Sequence, residues 1–329
     1  MDTNTCYAPS SRSGAAVVEP KAATPIPKED GDLPDPVANS EELWSRGLNW
    51  PIVFWIGLVH VFALIAPFYF SWHALIACGI LIITTGLFGV CMGYHRLLTH
   101  GSFKTFRVVR WALAFIGGLS GEGSALMWVA HHRKHHAYSD IHGDPHSPKD
   151  GPWWSHMLWL MPDFGQRWNR QLLEKYAPDL LKDKMMIVIH YLFLPSHIAV
   201  GLVLFLIGYF GEGIGLGGVR SGLSMLFWGL GIRMVYVLHM TWCVNSATHM
   251  WGYRRYETSD NSRNLWWVGL LAFGEGWHNN HHAYQRVAAQ GHKWYEIDTT
   301  WYAIWLMEKL GLVWDVVRVK DIPRGTPPA

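Results

Sequence analysis

Four stretches of this chain are apolar on every side: about Ile52–Phe70, His73–Met92, Met186–Phe210 and Gly222–Val244. Each is close to the roughly 20 residues that a helix needs to cross a bilayer. Only Ser71 and Trp72 separate the first two, which predicts a tight helical hairpin, and a Gly-rich turn over residues 211–221 joins the last two. An even number of spans returns both termini to one side. The segment between the second and third spans holds Arg96, Lys104, Arg107, Arg110, Arg133 and Lys134 among its cations, whereas the opposite connections hold only Arg220. Cationic loops stay cytoplasmic, so both termini and that segment are expected there. Within it, Phe103–Met127 is moderately apolar and carries Gly117, Gly118, Gly121 and Gly123. A crossing there would send the residues after it to the far face, so it is expected to lie in the interface or to be re-entrant. Residues 1–45 are rich in Pro, Ala, Ser, Asp and Glu without periodicity and read as a disordered tail. The expected organisation is one membrane domain over 46–320, with a short tail over 321–329.

Three histidine clusters follow these spans: His95-x4-His100, His132-x2-His135-His136 and His278-x2-His281-His282. In the expected topology all three fall on the cytoplasmic face. Residues three and four apart share one side of a helix, so each HxxHH is expected to project its imidazoles within one sector. His95 and His100 are five apart and do not share a face of a regular helix. Either they serve two metals, or the helix ends between them at Thr99–Gly101. His249, in Asn245-Ser246-Ala247-Thr248-His249, directly follows the fourth span. Neutral imidazole is the commonest protein metal ligand and suits iron, zinc or copper. Clustered imidazoles are not cheaply protonated together, because like charges repel. Almost no carboxylate lies inside the clusters, which argues against a carboxylate-bridged site.

Composition narrows the classes. The chain has 329 residues, 50% hydrophobic and 16% charged, with 20 Trp and a net charge of +2. Trp and Tyr favour membrane interfaces, and scattered cations with so small a net charge exclude a nucleic-acid partner. Cys6, Cys78, Cys91 and Cys243 show no CxxC spacing, so neither a disulfide framework nor a cysteine metal site is expected. Arg233 and His239 lie inside the fourth apolar stretch, where ionisable groups face a cavity or a neighbouring helix. His60, His73, His156, His190, His197 and His292 read as structural.

The three boxes in this order over four spans resemble the membrane fatty acyl desaturases. Asn245–His249 and Gly274-Glu275-Gly276-Trp277-His278-Asn279-Asn280-His281-His282 narrow the resemblance to the delta-9 branch of stearoyl-CoA and bacterial or plastid acyl-lipid enzymes. It covers about His73–Trp314. The resemblance implies an all-α membrane protein with a cytoplasmic helical cap that carries a dimetal site. It implies two iron ions held by His95, His100, His132, His135, His136, His249, His278, His281 and His282, with Asn245 holding a metal-bound water. It implies O2 as cosubstrate and a cis double bond, at delta-9, placed in a saturated acyl chain. An unactivated methylene offers no acidic proton, so a metal–oxygen oxidant has to carry such a step. Electrons would come from an outside partner, a ferredoxin or cytochrome b5 with its reductase.

The stearoyl-CoA branch carries an Arg-Asp pair before its HxxHH; here Ala130 and His131 stand there, which favours an acyl lipid over acyl-CoA. Carboxylates that orient ligating imidazoles are expected behind such a site, and Asp144 and Glu275 are the candidates; His142, Asp144 and His146 share a turn with Pro145. Gly79 and Ile83 share a face of the second span, roughly 18–24 Å from His95 at 1.5 Å per residue, and the resemblance makes them the far end of an acyl tunnel. It likewise makes Trp128, Thr241 and Trp242 the walls of its bend. Two rival functions share the pattern: a membrane diiron hydroxylase of lipids or alkanes, and a membrane metal transporter. Transporters place ligands near the midplane and show repeats, which this chain lacks.

Overall fold

The computed structural model describes Trp44 and residues 47–321, so the readings made for the two tails lie, apart from Trp44 and Asp321, outside the described residues. Four helices there are long and apolar enough to cross a membrane: Trp50–Tyr69, Trp72–Thr99, Phe193–Phe210 and Gly218–Met250. Their starts follow from the sequence. The Asn49 side chain accepts from Ile52 N with Pro51 in the first turn, and the Ser71 hydroxyl accepts from Ala74 N. Both satisfy backbone donors that a helix N-terminus leaves unpaired.

The spans differ from expectation at their metal-side ends. The second and fourth run on to Thr99 and Met250 and so carry His95 and His249 within them. The third begins at Phe193 instead of Met186. Residues Lys184–Tyr191 form a separate helix, capped by Asp183. Pro195 explains the break, because its ring clashes with the carbonyl four residues back, that of Tyr191, in a continuous helix. Met186 and Ile189 of the separate helix are buried in the core of the cap.

Phe103–Met127 resolves into a two-residue strand, a helix over Arg107–Gly118, a turn, and the start of a helix over Ala125–Tyr138. None of these is long enough to span. The Arg107–Gly118 helix lies directly against the second span: a methyl group on Gly89 would stand 2.7 Å from the Gly117 backbone. A similar approach joins the fourth span to the first, where a methyl on Gly231 would stand 2.6 Å from Ala63 N. Small residues allow this packing where apolar lipid gives helices no hydrophobic reason to associate. Outward faces stay apolar, as with Phe54, Leu64 and Phe68, each more than 70% exposed.

Two cores result. One, around Ile56, Leu204, Leu230, Met234 and Trp242, holds the spans together. The other, around Tyr94, Phe103, Leu126, Leu180 and Ile304, lies in the cap. The strand Lys104–Thr105 pairs antiparallel with Val313–Trp314, which ties the end of the described chain to the segment just after His100.

Candidate metal centre

The second span widens over Ile83–Thr99 into π-helical winding. There the His100 N–H donates to His95 O, five residues back, and the Thr99 hydroxyl donates to Tyr94 O at 2.8 Å. Residues five apart thus come to one side, and the His95 and His100 rings lie 4.8 Å apart. Of the two alternatives drawn from the sequence, the helix does end between them, at Thr99, whereas service to two metals does not hold, since both imidazoles belong to one group. Such winding is rare and concentrates at functional sites.

The nine histidines form two buried or half-buried groups in which the ligating nitrogens lie within 4.8 Å of one another: His95, His100, His132, His136 and His281, and His135, His249, His278 and His282. Each HxxHH does turn its three imidazoles to one side, with rings 4.7–5.9 Å apart in the second box and 4.4–5.8 Å apart in the third, and divides them between the two groups. On the Ala125–Tyr138 helix, His132 and His136 face the first group and His135 the second. On the short His278–Ala283 helix the allocation reverses, with His278 and His282 in the second group and His281 in the first.

Carboxylates stand behind both groups. His135 Nδ1 donates to Asp144 at 2.9 Å, His249 Nδ1 to Asp140 at 2.8 Å and His282 Nδ1 to Asp260 at 2.5 Å. His95 Nδ1 meets Glu275 at 2.5 Å. Each such bond fixes the proton on Nδ1 and turns the Nε2 lone pair inward. Burial and neighbouring imidazoles hold His132, His136, His278 and His281 well below the usual histidine range, in the neutral form that metals require. Burial would raise Asp144 and Glu275, but the His135 and His95 rings beside them prevail. They hold Asp144 below its ordinary range and Glu275, helped by Arg96, at about 2. The centre is crowded with lone pairs. Nε2 atoms of His95 and His281 are 3.1 Å apart, those of His281 and His136 3.0 Å, and those of His249 and His278 3.0 Å. Among the described residues, His100, His135 and His282 each have a buried Nε2 without a hydrogen-bond partner. A cation in each group would satisfy these nitrogens, so the residues fit a dimetal site.

Two of the cavities that touch the first group meet at His132; a third, of about 440 Å³, reaches His100 past Lys104, Arg110 and Arg133. The smaller of the meeting pair, about 40 Å³, runs from His95 and His132 between the second and fourth spans, along Gly86, Val90, Val237 and Met240. The larger, about 400 Å³, leaves His132 and His146 on the other side. Trp128, Thr241 and Asn245 line both, and Trp242 lines the larger. Glu122 lines the larger cavity as well. It accepts from Trp128 Nε1 at 2.8 Å and Thr241 Oγ1 at 2.7 Å, and burial raises its carboxyl to about 7. Gly79 and Ile83 line neither cavity. Ile83 is half exposed on the outer surface, and a methyl on Gly79 would meet nothing within 4 Å. The face of the second span that enters the cavity is instead that of Gly86 and Val90.

Arg233 Nε donates to Gly229 O at 2.8 Å, and His239 bonds to His60 and His156, each at 3.0 Å; neither residue lines these cavities. His131 lines the larger one. His146 stacks on His135 at 4.3 Å. Sequence reasoning missed Asp140, Asp260, Glu122, Gln290 and Arg96. Arg96 is fully buried and pairs with Glu275 at 3.1 Å and Asp298 at 2.9 Å, and Gln290 Nε2 donates to Glu275 at 2.8 Å. A cation inside the first box was the one available signal, since Arg96 has to find buried anions.

The fatty acid desaturase family model matches residues 70–314. The chain is 42% identical over 277 residues to an sn-2 palmitoyl-lipid 9-desaturase of Nostoc sp. (strain 36), covering 83% of this chain and 92% of that one. It is 39% identical over 269 residues to an sn-1 stearoyl-lipid 9-desaturase of Synechocystis sp., covering 81% and 80%. It is also 37% identical over 290 residues to acyl-CoA 5-desaturase AL21 of Anemone leveillei, covering 87% and 85%. With four apolar helices and a histidine centre that fits two metals, this chain belongs to the fatty acid desaturase family and is a multi-pass membrane desaturase.

Proposed function

We propose that this desaturase places a cis double bond at position 9 of a saturated acyl chain carried on a glycerolipid. The observation that carries the reading is the cavity system: an apolar passage, with neither Lys nor Arg among its described lining residues, meets the five-imidazole group at His132. The cyanobacterial relatives, named as acyl-lipid 9-desaturases, support the carrier and the position. Ala130 and His131 stand where a CoA-gripping Arg-Asp pair would be. The Anemone relative keeps acyl-CoA as the second reading.

Two iron ions would sit in the two groups, held by His95, His100, His132, His136 and His281 and by His135, His249, His278 and His282, with Asn245 holding a water beside them. When bound, they supply the O2-dependent oxidation that removes hydrogen from an unactivated methylene. The protein's own residues do the rest. Trp128 and Thr241, tied together by Glu122, wall the junction of the two cavities and fix which carbons lie beside the metals. Asp140, Asp144, Asp260 and Glu275 keep the imidazoles turned inward. Seven of the nine imidazoles are buried, which limits the access of bulk water. The membrane domain extends over 46–320. The centre and both termini face the cytoplasm, a reading supported by the cations between the second and third spans. A ferredoxin or cytochrome b5 with its reductase delivers the electrons there.

Expression in a host lacking unsaturated fatty acids, followed by mass spectrometry of intact lipids and of double-bond position, tests this. Monounsaturated glycerolipid with the bond at carbon 9 is the expected product. Hydroxylated lipid, or desaturation confined to the acyl-CoA pool, would refute the proposal.

A further inference from the structure

The larger cavity has a wall that the chemistry above does not use. Away from Trp128 it passes between the metal-side ends of two spans, lined by Pro51, Ile52 and Trp55 of the first and by Phe193 and Leu194 of the third. Both spans pack on the fourth, and Trp55 bridges the gap between their beginnings. Its ring meets Phe193 at 5.8 Å and His197 at 4.8 Å, and its Nε1–H donates to Gly121 O at 3.2 Å.

A second wall is formed by Trp159, which is buried, and Leu160. The segment after them is strapped to the start of the first span: Asn49 N donates to Met161 O at 2.7 Å, and Asp163 N donates to Gly47 O at 3.1 Å. The lip between the two spans carries exposed residues by contrast, Pro51 and Leu194, the latter 53% exposed. Both lie within a residue of a helix start, roughly 1.5 Å along the axis. Trp50 and Tyr191 are largely exposed beside them in the chain, as aromatic residues are at the level where headgroups meet acyl chains.

We infer that this gap is a lateral port through which a two-chain glycerolipid, resting in the bilayer, slides one saturated chain to the metal centre. The inference rests on the acyl-lipid reading above and adds where the lipid passes. A glycerolipid needs a slot that is apolar, opens at interface depth and is closed toward water, because its second chain stays in the membrane. A carrier bearing several phosphates would need cations along the same route, and the described lining has none.

The test uses purified, iron-loaded enzyme with a reducing partner, in vesicles of the expression host's own glycerolipids made fully saturated. Stearoyl-CoA is offered in a parallel arm. The double variant Ile52→Trp/Leu194→Trp fills the lip. Leu202→Trp, on an exposed position of the third span outside both cavities, is the control. The expected result is at least a ten-fold loss of kcat/KM on glycerolipid for the double variant at unchanged iron content, with the control at the wild-type rate. A double variant that keeps its iron and the wild-type rate overturns the port and leaves the acyl-lipid reading standing. Wild-type enzyme that converts stearoyl-CoA and no glycerolipid overturns both. Should the double variant fail to fold, a benzophenone side chain at position 194 of the otherwise wild-type chain should capture glycerolipid several-fold more than one at position 202. Equal capture at the two positions overturns the port.

Discussion

Replacing Asp260 by Asn removes a negative charge from behind His282 without shortening the side chain. In the native protein Asp260 Oδ2 accepts from His282 Nδ1 at 2.5 Å, while Oδ1 accepts from Ser262 N at 3.0 Å, Ser262 Oγ at 2.6 Å and Thr258 Oγ1 at 2.9 Å. An amide that keeps its oxygen toward His282 turns its NH2 toward the Ser262 N–H, so one contact becomes donor against donor. Loss of such a partner behind a ligating imidazole costs roughly 10–100-fold in metal affinity, or about 1.4–2.7 kcal/mol. The loss should fall on one metal. Asp140, Asp144 and Asp260 all stand behind the four-imidazole group, whereas Glu275 stands behind the five-imidazole group. In a chelator titration followed by iron per chain, Asp260→Asn should therefore release one iron at about 10–100-fold lower chelator than wild type. The second iron should leave where it does in wild type, and Glu275→Gln should shift the other step. Circular dichroism at each point shows that the helices persist. Both irons leaving together, or a curve superimposed on that of wild type, would refute the division into two sites.

Three more outcomes follow from the same geometry. His132→Ala, His281→Ala or His249→Ala should each abolish desaturation while leaving membrane insertion intact, with iron content and product falling together; normal product from any of them would remove that residue from the ligand set. Val90→Phe should narrow the smaller cavity and shift products toward shorter chains, whereas Gly79→Trp on the outer surface should leave the chain-length profile unchanged in lipid analysis. The Glu122 carboxyl, raised by burial from 4.5 to about 7, costs no stability below about pH 4.5 and costs progressively more as pH rises through about 7. Glu122→Gln should flatten that slope and add at most about 3 kcal/mol at pH 8, read as a thermal-midpoint difference from wild type that grows from pH 5 to 7 and is constant above.

The spans were legible because hydropathy alone specifies them. What hydropathy does not carry is where a helix breaks inside an apolar run. Pro195 held that information for the third span, and the run from Met186 concealed it. The tunnel face was misread for a related reason. Gly79 and Ile83 share one side of the second span by spacing, but spacing does not say whether that side meets a cavity or lipid. The winding change after Ile82 separates the face that Gly79 presents from the one that Gly86 and Val90 present. The orienting carboxylates were half legible. Asp144 lies nine residues from its partner His135, whereas Glu275 stands beside the third box but pairs with His95 of the first. Asp140 finds His249 across 109 residues and Asp260 finds His282 across 22, pairings that only the folded chain displays.

The spacing within the boxes has a reason that the two groups make visible. Successive residues of an α-helix are about 100° apart, so an i,i+4 pair nearly eclipses while the residue at i+3 falls to the other flank. One metal could be served by HxxxH alone. The added histidine at the fourth position of HxxHH gives each helix a ligand on its other flank, and the two boxes use it in opposite senses: His135 leaves the pair His132–His136, and His281 leaves the pair His278–His282. Each box therefore contributes to both groups, two imidazoles to one and one to the other. The remaining members complete the groups unequally, His95 and His100 joining the first and His249 the second. His95 and His100 can join one group only because the second span unwinds to π geometry before it ends; regular α winding would set them well apart around the axis. A one-residue insertion between His95 and His100 should consequently damage the first group alone, whereas an insertion between His132 and His135 should damage both. Iron per chain after each insertion, near one in the first case and near zero in the second, distinguishes this arrangement from a single shared cluster.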